Sequence, residues 1–252
     1  MGYPERKRKI LKILDRKESM EVQEIADELG ISAVTIRRDL QQLADEALLI
    51  RTHGGAMKAP EKHPFTAFDD KESVGVSRKK HIGKLAAALV KPGDTIFMDC
   101  GSTVYTMCPH LKDISPLRII TNSLPVAAAF MDIPGIQVNL AGGEMDGSRK
   151  AIHGDRAIAH INSYHADKAF IGTDGLSVKN GLSAFSEKEA GISTAMAGSA
   201  DKLYVLCDSS KIGKDSYLKF APLSVLTALV TDKELSATQA AQLKGKAVKI
   251  IH

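Results

Sequence analysis

Arg37 and Arg38 stand side by side in the run Ser32-Ala33-Val34-Thr35-Ile36-Arg37-Arg38-Asp39-Leu40. A guanidinium can grip O6 and N7 of a guanine with two parallel hydrogen bonds, and a threonine can meet a phosphate or a thymine methyl. On a helix that starts near Ala33, with Ser32 at the N-cap, Val34, Ile36 and Leu40 serve as core anchors. Thr35, Arg37 and Arg38 then fall on or near the opposite side. Asp39 is suited to pairing with a nearby arginine and fixing its rotamer rather than to touching DNA. Arg51, with Thr52 and His53 and just before Gly54, offers a second cationic point for a phosphate or a minor groove. This is the chemistry of a double-stranded DNA reader. The alternative for an arginine pair is a solvated helix face.

A second set of residues lies in turns that follow strand-like runs: Asp99-Cys100-Gly101-Ser102-Thr103, Thr121-Asn122-Ser123, Gly142-Gly143-Glu144 and Gly172-Thr173-Asp174-Gly175. A loop of Gly, Ser and Thr that opens a helix presents backbone N–H groups, hydroxyls and a favourable dipole end, and a phosphate is its natural guest. Taken singly, Asp99, Ser123 and Asp174 fit helix caps equally well. Together, four polar turns on one sheet edge suit a polar ligand, since open α/β sheets bind ligands outside the carboxyl ends of their strands. Further on, Asp208-Ser209-Ser210-Lys211-Ile212-Gly213 could meet a sugar hydroxyl and a phosphate, or be a solvated turn. Glu189 lies on a helix whose Ala and Gly neighbours allow close approach. Asp174 and Glu189 could also act as acid and base in an aldose–ketose isomerisation if held near the reacting carbons. An isomerase or deaminase with an added head is therefore the alternative to a binding protein. No G-x-G-x-x-G follows the first strand, which disfavours a dinucleotide fold.

These residues need particular elements to position them. In the first segment, Ile10, Ile13 and Leu14 share a helix face, and Val22, Ile25, Ala26 and Leu29 form a second stripe ended by Gly30. The third helix runs from about Ala33 to Glu46. Two helices about a glycine turn make a helix-turn-helix, and LLIRTHGGAM, closed by Gly54-Gly55, reads as a small wing hairpin. In the second segment a helix near 77–90 leads into strands at 95–99, 118–121, 136–141, 168–172, 203–207, 225–231 and 247–251. Near-continuous apolar strands alternating with helices predict a mostly parallel sheet covered on both faces. The expected organisation is a winged helix-turn-helix over 1–57, a linker over 58–71 containing Pro60 and Pro64, and an α/β domain over 72–252.

The bulk numbers agree with this division. The chain has 252 residues, 44% of them apolar and 25% charged, with a net charge of +4, ordinary for a globular protein and compatible with a nucleic-acid partner. Three cysteines in no zinc spacing point to reduced thiols and a cytoplasmic location. The charged N-terminus has no secretory apolar region, and no apolar run is long enough to span a membrane. Nothing calls for a metal or cofactor.

The first segment resembles the N-terminal signature of the DeoR family of bacterial regulators. The residues that carry the likeness are Arg6, Ile10 and Leu14, then Ser32 and Thr35-Ile36-Arg37-Arg38-Asp39-Leu40, then the wing of Arg51, His53, Gly54, Gly55 and Ala56. The second segment resembles that family's effector domain over 72–252, through Asp99-x-Gly101-x-Thr103, Thr121-Asn122, Ala141-Gly142-Gly143-Glu144, Gly172-x-Asp174-Gly175, Glu189 and Asp208-x-Ser210-Lys211-x-Gly213. Ile212 stands where family members often carry Phe, and Cys100 where the family varies. The resemblance implies a ligand-gated repressor, not an enzyme, with an effector domain similar to ribose phosphate isomerase and to sugar-phosphate deaminases. It implies a phosphorylated sugar or polyol as effector, with Gly101, Ser102, Thr103 and Lys211 towards its phosphate and Asp99, Asp174 and Glu189 towards its sugar. One recognition helix reads only a few base pairs, so a homo-oligomer, dimer or tetramer, is expected on a repeated operator.

Overall fold

The computed structural model describes residues 2–17, 19–45, 49–52, 54–58 and 67–252. The chain divides into two compact units, Met1–Pro64 and Phe65–His252.

The first unit contains α1 (Tyr3–Lys17), β1 (Ser19–Glu21), α2 (Val22–Leu29), α3 (Ala33–Asp45), β2 (Leu49–Arg51) and β3 (Gly55–Lys58). Its core joins Ile10, Ile13 and Leu14 of α1, Val22, Ile25 and Ala26 of α2, and Ile36, Leu40 and Leu43 of α3. α2 starts on a capping box between Glu21 and Glu24 and ends on Gly30, whose φ of 65° and ψ of 37° are left-handed. Only a residue without Cβ adopts that conformation at little cost, and it turns the chain sharply into α3.

Two expectations change here. Val34, expected in the core, is 73% exposed, while Ile36, Leu40 and Leu43 are fully buried. The spacing 36–40–43 makes one helical stripe, and Val34 falls instead one turn before Arg37 and Arg38, on their face. The wing is also larger than a hairpin. β3 is the middle strand of an antiparallel sheet ordered β1-β3-β2. A Cβ on Gly55 would lie 2.0 Å from the Met20 carbonyl oxygen, so glycine lets β3 approach β1.

The second unit runs α4 (Phe68–Ser73), α5 (Val76–Ala87), β4 (Thr95–Met98), α6 (Ser102–Tyr105), α7 (Cys108–Leu111), β5 (Leu117–Thr121), α8 (Leu124–Phe130), β6 (Ile136–Leu140), β7 (Glu144–Asp146), β8 (Ala151–His153), α9 (Asp155–Asn162) and β9 (Ala166–Gly172). It continues with β10 (Gly175–Ser177), β11 (Gly181–Ala184), α10 (Glu187–Gly198), β12 (Ala200–Leu206), β13 (Leu218–Ala221), β14 (Ala228–Val230), α11 (Ala237–Lys244) and β15 (Ile250–Ile251). Seven strands form one sheet in the order β15-β14-β12-β9-β4-β5-β6, every pairing parallel. Each lies within or beside a predicted strand run. Alternate residues feed two cores: Phe97, Ile171 and Val205 pack with Ile161, Ile192 and Met196 of α9 and α10. Ile96, Met98, Phe170 and Leu206 pack with Ile82, Val104, Leu111 and Phe130 of α5 to α8. Two small antiparallel sheets, β7-β8 and β10-β11-β13, complete the unit.

The winding of the main sheet matters for function. From β4 the chain moves outward through β5 and β6, then returns to β9 on the other side of β4 and moves outward again through β12, β14 and β15. The reversal between β4 and β9 opens a crevice at their carboxyl ends. One boundary shifts from the expected linker over 58–71. α4 begins at Phe68, which is buried and meets Tyr105 edge-on with ring centroids 5.6 Å apart. Residues 68–71 are thus packed structure, and residues 59–66 lie outside those described.

Candidate functional site

On the head, Ser32 caps α3: its Oγ accepts from the Thr35 N–H at 3.3 Å and lies 2.9 Å from Thr35 Oγ1. Arg37 and Arg38 are exposed beside Val34, with Thr35 half-buried. Asp39 faces inward, 3% exposed. Arg6 of α1 donates to it twice, Nε to Oδ2 at 2.5 Å and Nη2 to Oδ1 at 2.9 Å. A two-point bond of this kind fixes orientation as well as distance, so Asp39 locks α3 onto α1 and leaves the arginine pair free of it. Arg51 donates from Nη1 to the Arg37 carbonyl at 3.2 Å, tying the wing to the reading helix. Gly54 accepts the Val22 N–H at 2.9 Å, and a Cβ there would collide with the Glu21 carboxylate. His53 lies outside the described residues.

In the second unit, a cavity opens at the β4/β9 crevice. Seven predicted residues line it: Asp99, Gly101, Ser102, Thr103, Asp174, Glu189 and Lys211. Thr121, Asn122, Gly142, Gly143 and Glu144 do not line it. They follow β5 and β6, on the far side of β4 from β9. The Thr121 hydroxyl donates to the Met98 carbonyl at 2.6 Å and Asn122 Nδ2 to that of Ile152 at 3.0 Å, so both hold backbone together. Gly142 donates its N–H to His160 Nδ1, and Glu144 pairs at the surface with Lys188 at 2.9 Å.

Asp99 is fully engaged by backbone. Oδ1 accepts from Gly101 N–H at 2.7 Å and Oδ2 from Gly172 N–H at 2.6 Å, which staples the β4 loop to the β9 loop. Burial pushes its carboxyl up to about 6, and those two N–H bonds limit the rise. Its geometry is that of a positioning group. Asp174 accepts Lys71 Nζ on Oδ1 at 2.8 Å and the Phe185 N–H on Oδ2 at 3.1 Å. Burial opposes its ionisation, but Lys71 and Lys211 outweigh this and hold the carboxyl below its ordinary range. Glu189 is ion-paired with Arg149, which arrives from the turn between β7 and β8.

Two lysines, Lys71 and Lys211, line the cavity, and a third, Lys79, bonds its Ser102. Lys211 Nζ donates to the Thr173 carbonyl at 2.9 Å. Lys71 comes from α4. Lys79, on α5 and only 6% exposed, donates to Ser102 Oγ at 3.1 Å and to the Lys71 carbonyl. Burial pushes the Lys79 ammonium down to about 8, and the like charges of Lys211 and Lys71 add to this against the pull of Asp208. Lysines beside the Gly101-Ser102-Thr103 loop favour an anion there, although Asp99, Asp174 and Glu189 line the same cavity. The helix opened by this loop, α6, is a single turn, so the lysines rather than a helix dipole supply most of the attraction.

The sequence reading missed Lys71, Lys79 and Arg149. The first two stand in the run Lys71-Glu72-Ser73-Val74-Gly75-Val76-Ser77-Arg78-Lys79-Lys80, which looks like a solvated charged face. Cys100 also lines the cavity, and burial raises its thiol above the ordinary range. Cys100, His153 and Glu189 bring donor atoms within 4.8 Å of one another. Arg149 ion-pairs with the Glu189 of this trio.

Residues 6–61 match the DeoR-like helix-turn-helix domain, and residues 75–233 match the DeoR C terminal sensor domain. The chain is 34% identical over 250 residues to the HTH-type transcriptional regulator YulB of Bacillus subtilis, covering 99% of this chain and 96% of that one. It is 35% identical over 237 residues to the lactose phosphotransferase system repressor of Lactococcus lactis, covering 92% of each. The ribose 5-phosphate isomerase A of Methanocaldococcus jannaschii superposes on 53% of this chain and 52% of its own, with 21% identity and a TM-score of 0.39.

Proposed function

The chain belongs to the DeoR family of transcriptional regulators, and on that premise we propose that it represses an operon for sugar or polyol breakdown and that a phosphorylated sugar or polyol modulates its operator binding. It is a regulator, not an enzyme. The observation that supports the effector class is that Lys71 and Lys211 line the β4/β9 cavity with the Gly101-Ser102-Thr103 loop, while Lys79 bonds that loop at Ser102. Parallel α/β sheets bind ligands at such reversal points, and lysines beside a Gly-Ser-Thr loop suit an anion. Asp174 and Glu189, in the same cavity, supply acceptors for sugar hydroxyls, and Asp99 shapes the loops. Cys100 tunes which sugar fits.

On the head, Ser32, Thr35, Arg37, Arg38 and Val34 form the reading surface of α3, entering the major groove by its N-terminal turns. Arg51, with Gly54 and Gly55 behind it, aligns the wing. The effector acts by preferring one arrangement of the protein over the other; a ligand with equal affinity for both would change nothing.

The test is fluorescence anisotropy on DNA from upstream of the protein's own gene at fixed salt. The titrants are ribose 5-phosphate, glucose 6-phosphate, fructose 1-phosphate, fructose 6-phosphate and glycerol 3-phosphate. Specific binding that one of them changes, and that Arg37→Ala reduces by about 1–3 kcal/mol, is the expected result. Equal affinity for random DNA would sink the repressor reading.

A further inference from the structure

The seven-stranded sheet ends at β6 on one side and at β15 on the other, and the two edges differ. β15 is two residues long and lies between Lys249 and His252. Shortness and a nearby lysine are common guards against pairing with another chain. β6 has five residues, Ile136-Gln137-Val138-Asn139-Leu140, with neither a charge nor a proline among them. Its register with β5 runs unbroken over all five, so no bulge turns the edge aside.

Backbone bonds at the two ends of β6 fix which groups face outward. The Gly135 carbonyl accepts the Leu117 N–H at 3.1 Å, and the Ala141 N–H donates to the Thr121 carbonyl at 2.8 Å. Backbone direction alternates along a strand, so Gln137 and Asn139 also turn theirs to β5, while Ile136, Val138 and Leu140 turn theirs away. The Ile136 N–H folds back on the Ile133 carbonyl at 3.3 Å. Among the described residues, the N–H groups of Val138 and Leu140 and the carbonyls of Ile136 and Val138 have no partner. The pattern of β6 also reads the same in both directions: apolar, amide, apolar, amide, apolar. A second β6 laid antiparallel about a two-fold axis at Val138 sets Ile136 opposite Leu140, Gln137 opposite Asn139 and Val138 opposite itself. All five residues then find a like partner, and the hydrogen-bonded positions of that pairing are the three that face outward. A two-fold contact requires a self-complementary surface, and β6 is one.

We propose that β6 is an interface between two copies of this chain, which join their parallel sheets by antiparallel pairing about Val138. Each Val138 N–H donates to the Val138 carbonyl of the other copy, and each Leu140 N–H to the Ile136 carbonyl of the other copy. The interface belongs to the second unit alone and depends neither on DNA nor on what the cavity binds.

The experiment uses the full chain with no DNA and no phosphate compound. Light scattering of the wild type is expected to give the mass of at least two chains of 27.1 kDa. Gln137→Lys with Asn139→Lys places lysines opposite lysines, and like charges directly opposite destabilise a strand pair, so the mass should halve. Gln137→Glu with Asn139→Glu should halve it too. An equal mixture of the two charged chains should recover the wild-type mass, which chains that had merely misfolded would not do. Amide exchange reads the same edge in the unaltered chain. The Val138 and Leu140 amides should be protected in concentrated protein and lose that protection as dilution lowers the mass, while Gln137 and Asn139, bonded to β5, keep theirs. Should the charged chains fail to fold, the amide pattern decides alone. A wild type with the mass of one chain at every concentration would overturn the proposal. So would a Lys-substituted chain that keeps the full mass, or Val138 and Leu140 amides that exchange freely in concentrated protein.

Discussion

Lys79 is a buried lysine with Lys71 and Lys211 near it and with Asp208 and Glu72 acting the other way. Its folded pKa is near 8 against an ordinary 10.5. Between those values the unfolded chain binds more protons than the folded one, so this group's contribution to stability rises with pH from about 8 to 10.5. A bound phosphate reverses the balance by favouring the charged ammonium. Effector affinity is therefore expected to fall as pH rises through about 8, by at most about tenfold per unit for one proton. The second ionisation of a sugar phosphate lies near pH 6, so a step above pH 7.5 belongs to the protein. Isothermal titration from pH 7 to 9.5 measures it, and Lys79→Met should remove the step along with much of the affinity. Affinity that stays flat across that range in the wild type would show that Lys79 does not face the anion.

At the scale of elements, α3 separates stability from recognition along its two faces. Ile36 is fully buried and Val34 is 73% exposed, two residues apart. Ile36→Ala is expected to cost about 2–5 kcal/mol of head stability, the usual range for emptying a core site. Val34→Ala should stay within about 0.5 kcal/mol in stability yet weaken operator binding, because a valine held in solvent next to two arginines is placed to meet thymine methyls. Urea denaturation followed by anisotropy on the operator distinguishes them; a Val34→Ala variant that binds normally removes Val34 from the reading surface. The same helix marks how far the sequence could be read. Its start, its cap and its charged face were legible from Ser32, Thr35 and Arg37-Arg38, but an apolar Val34 suggested core because polarity alone does not say which way a residue faces. The seven strands of the parallel sheet were legible because strands buried on both faces are continuous apolar runs. The strands of β7-β8 and β10-β11-β13 have three or four residues each and leave no period to detect. At the cavity, Asp99, Ser102 and Lys211 were visible because they sit at strand ends. Lys71 and Arg149 reach the cavity from elements distant in sequence, and only the packed chain brings them there. The order of the strands also leaves Thr121 and Gly142 outside the cavity, since equal-looking turns become unequal once β4 and β9 are neighbours.

The whole molecule must turn a modest head into a specific one. Residues 1–60 carry 11 Lys and Arg against 10 Asp and Glu, so non-specific attraction to phosphates, which scales with the number of counterions released, is limited. A single α3 of 13 residues presents a few side chains to a few base pairs. Specific regulators bind their sites roughly 10³–10⁷ times more tightly than random DNA, and joining two heads on one DNA multiplies affinity by roughly 10²–10⁴ without a new contact at either half-site. Two chains on two half-sites about one helical turn apart therefore meet the requirement. Light scattering of the operator complex is expected to return two chains for each pair of half-sites. DNA carrying one half-site should bind on the order of a hundredfold more weakly. Full affinity for a single half-site by a single chain would mean that one head reads more of the operator than Val34, Thr35, Arg37 and Arg38 can reach, and the wing would then have to carry base contacts of its own.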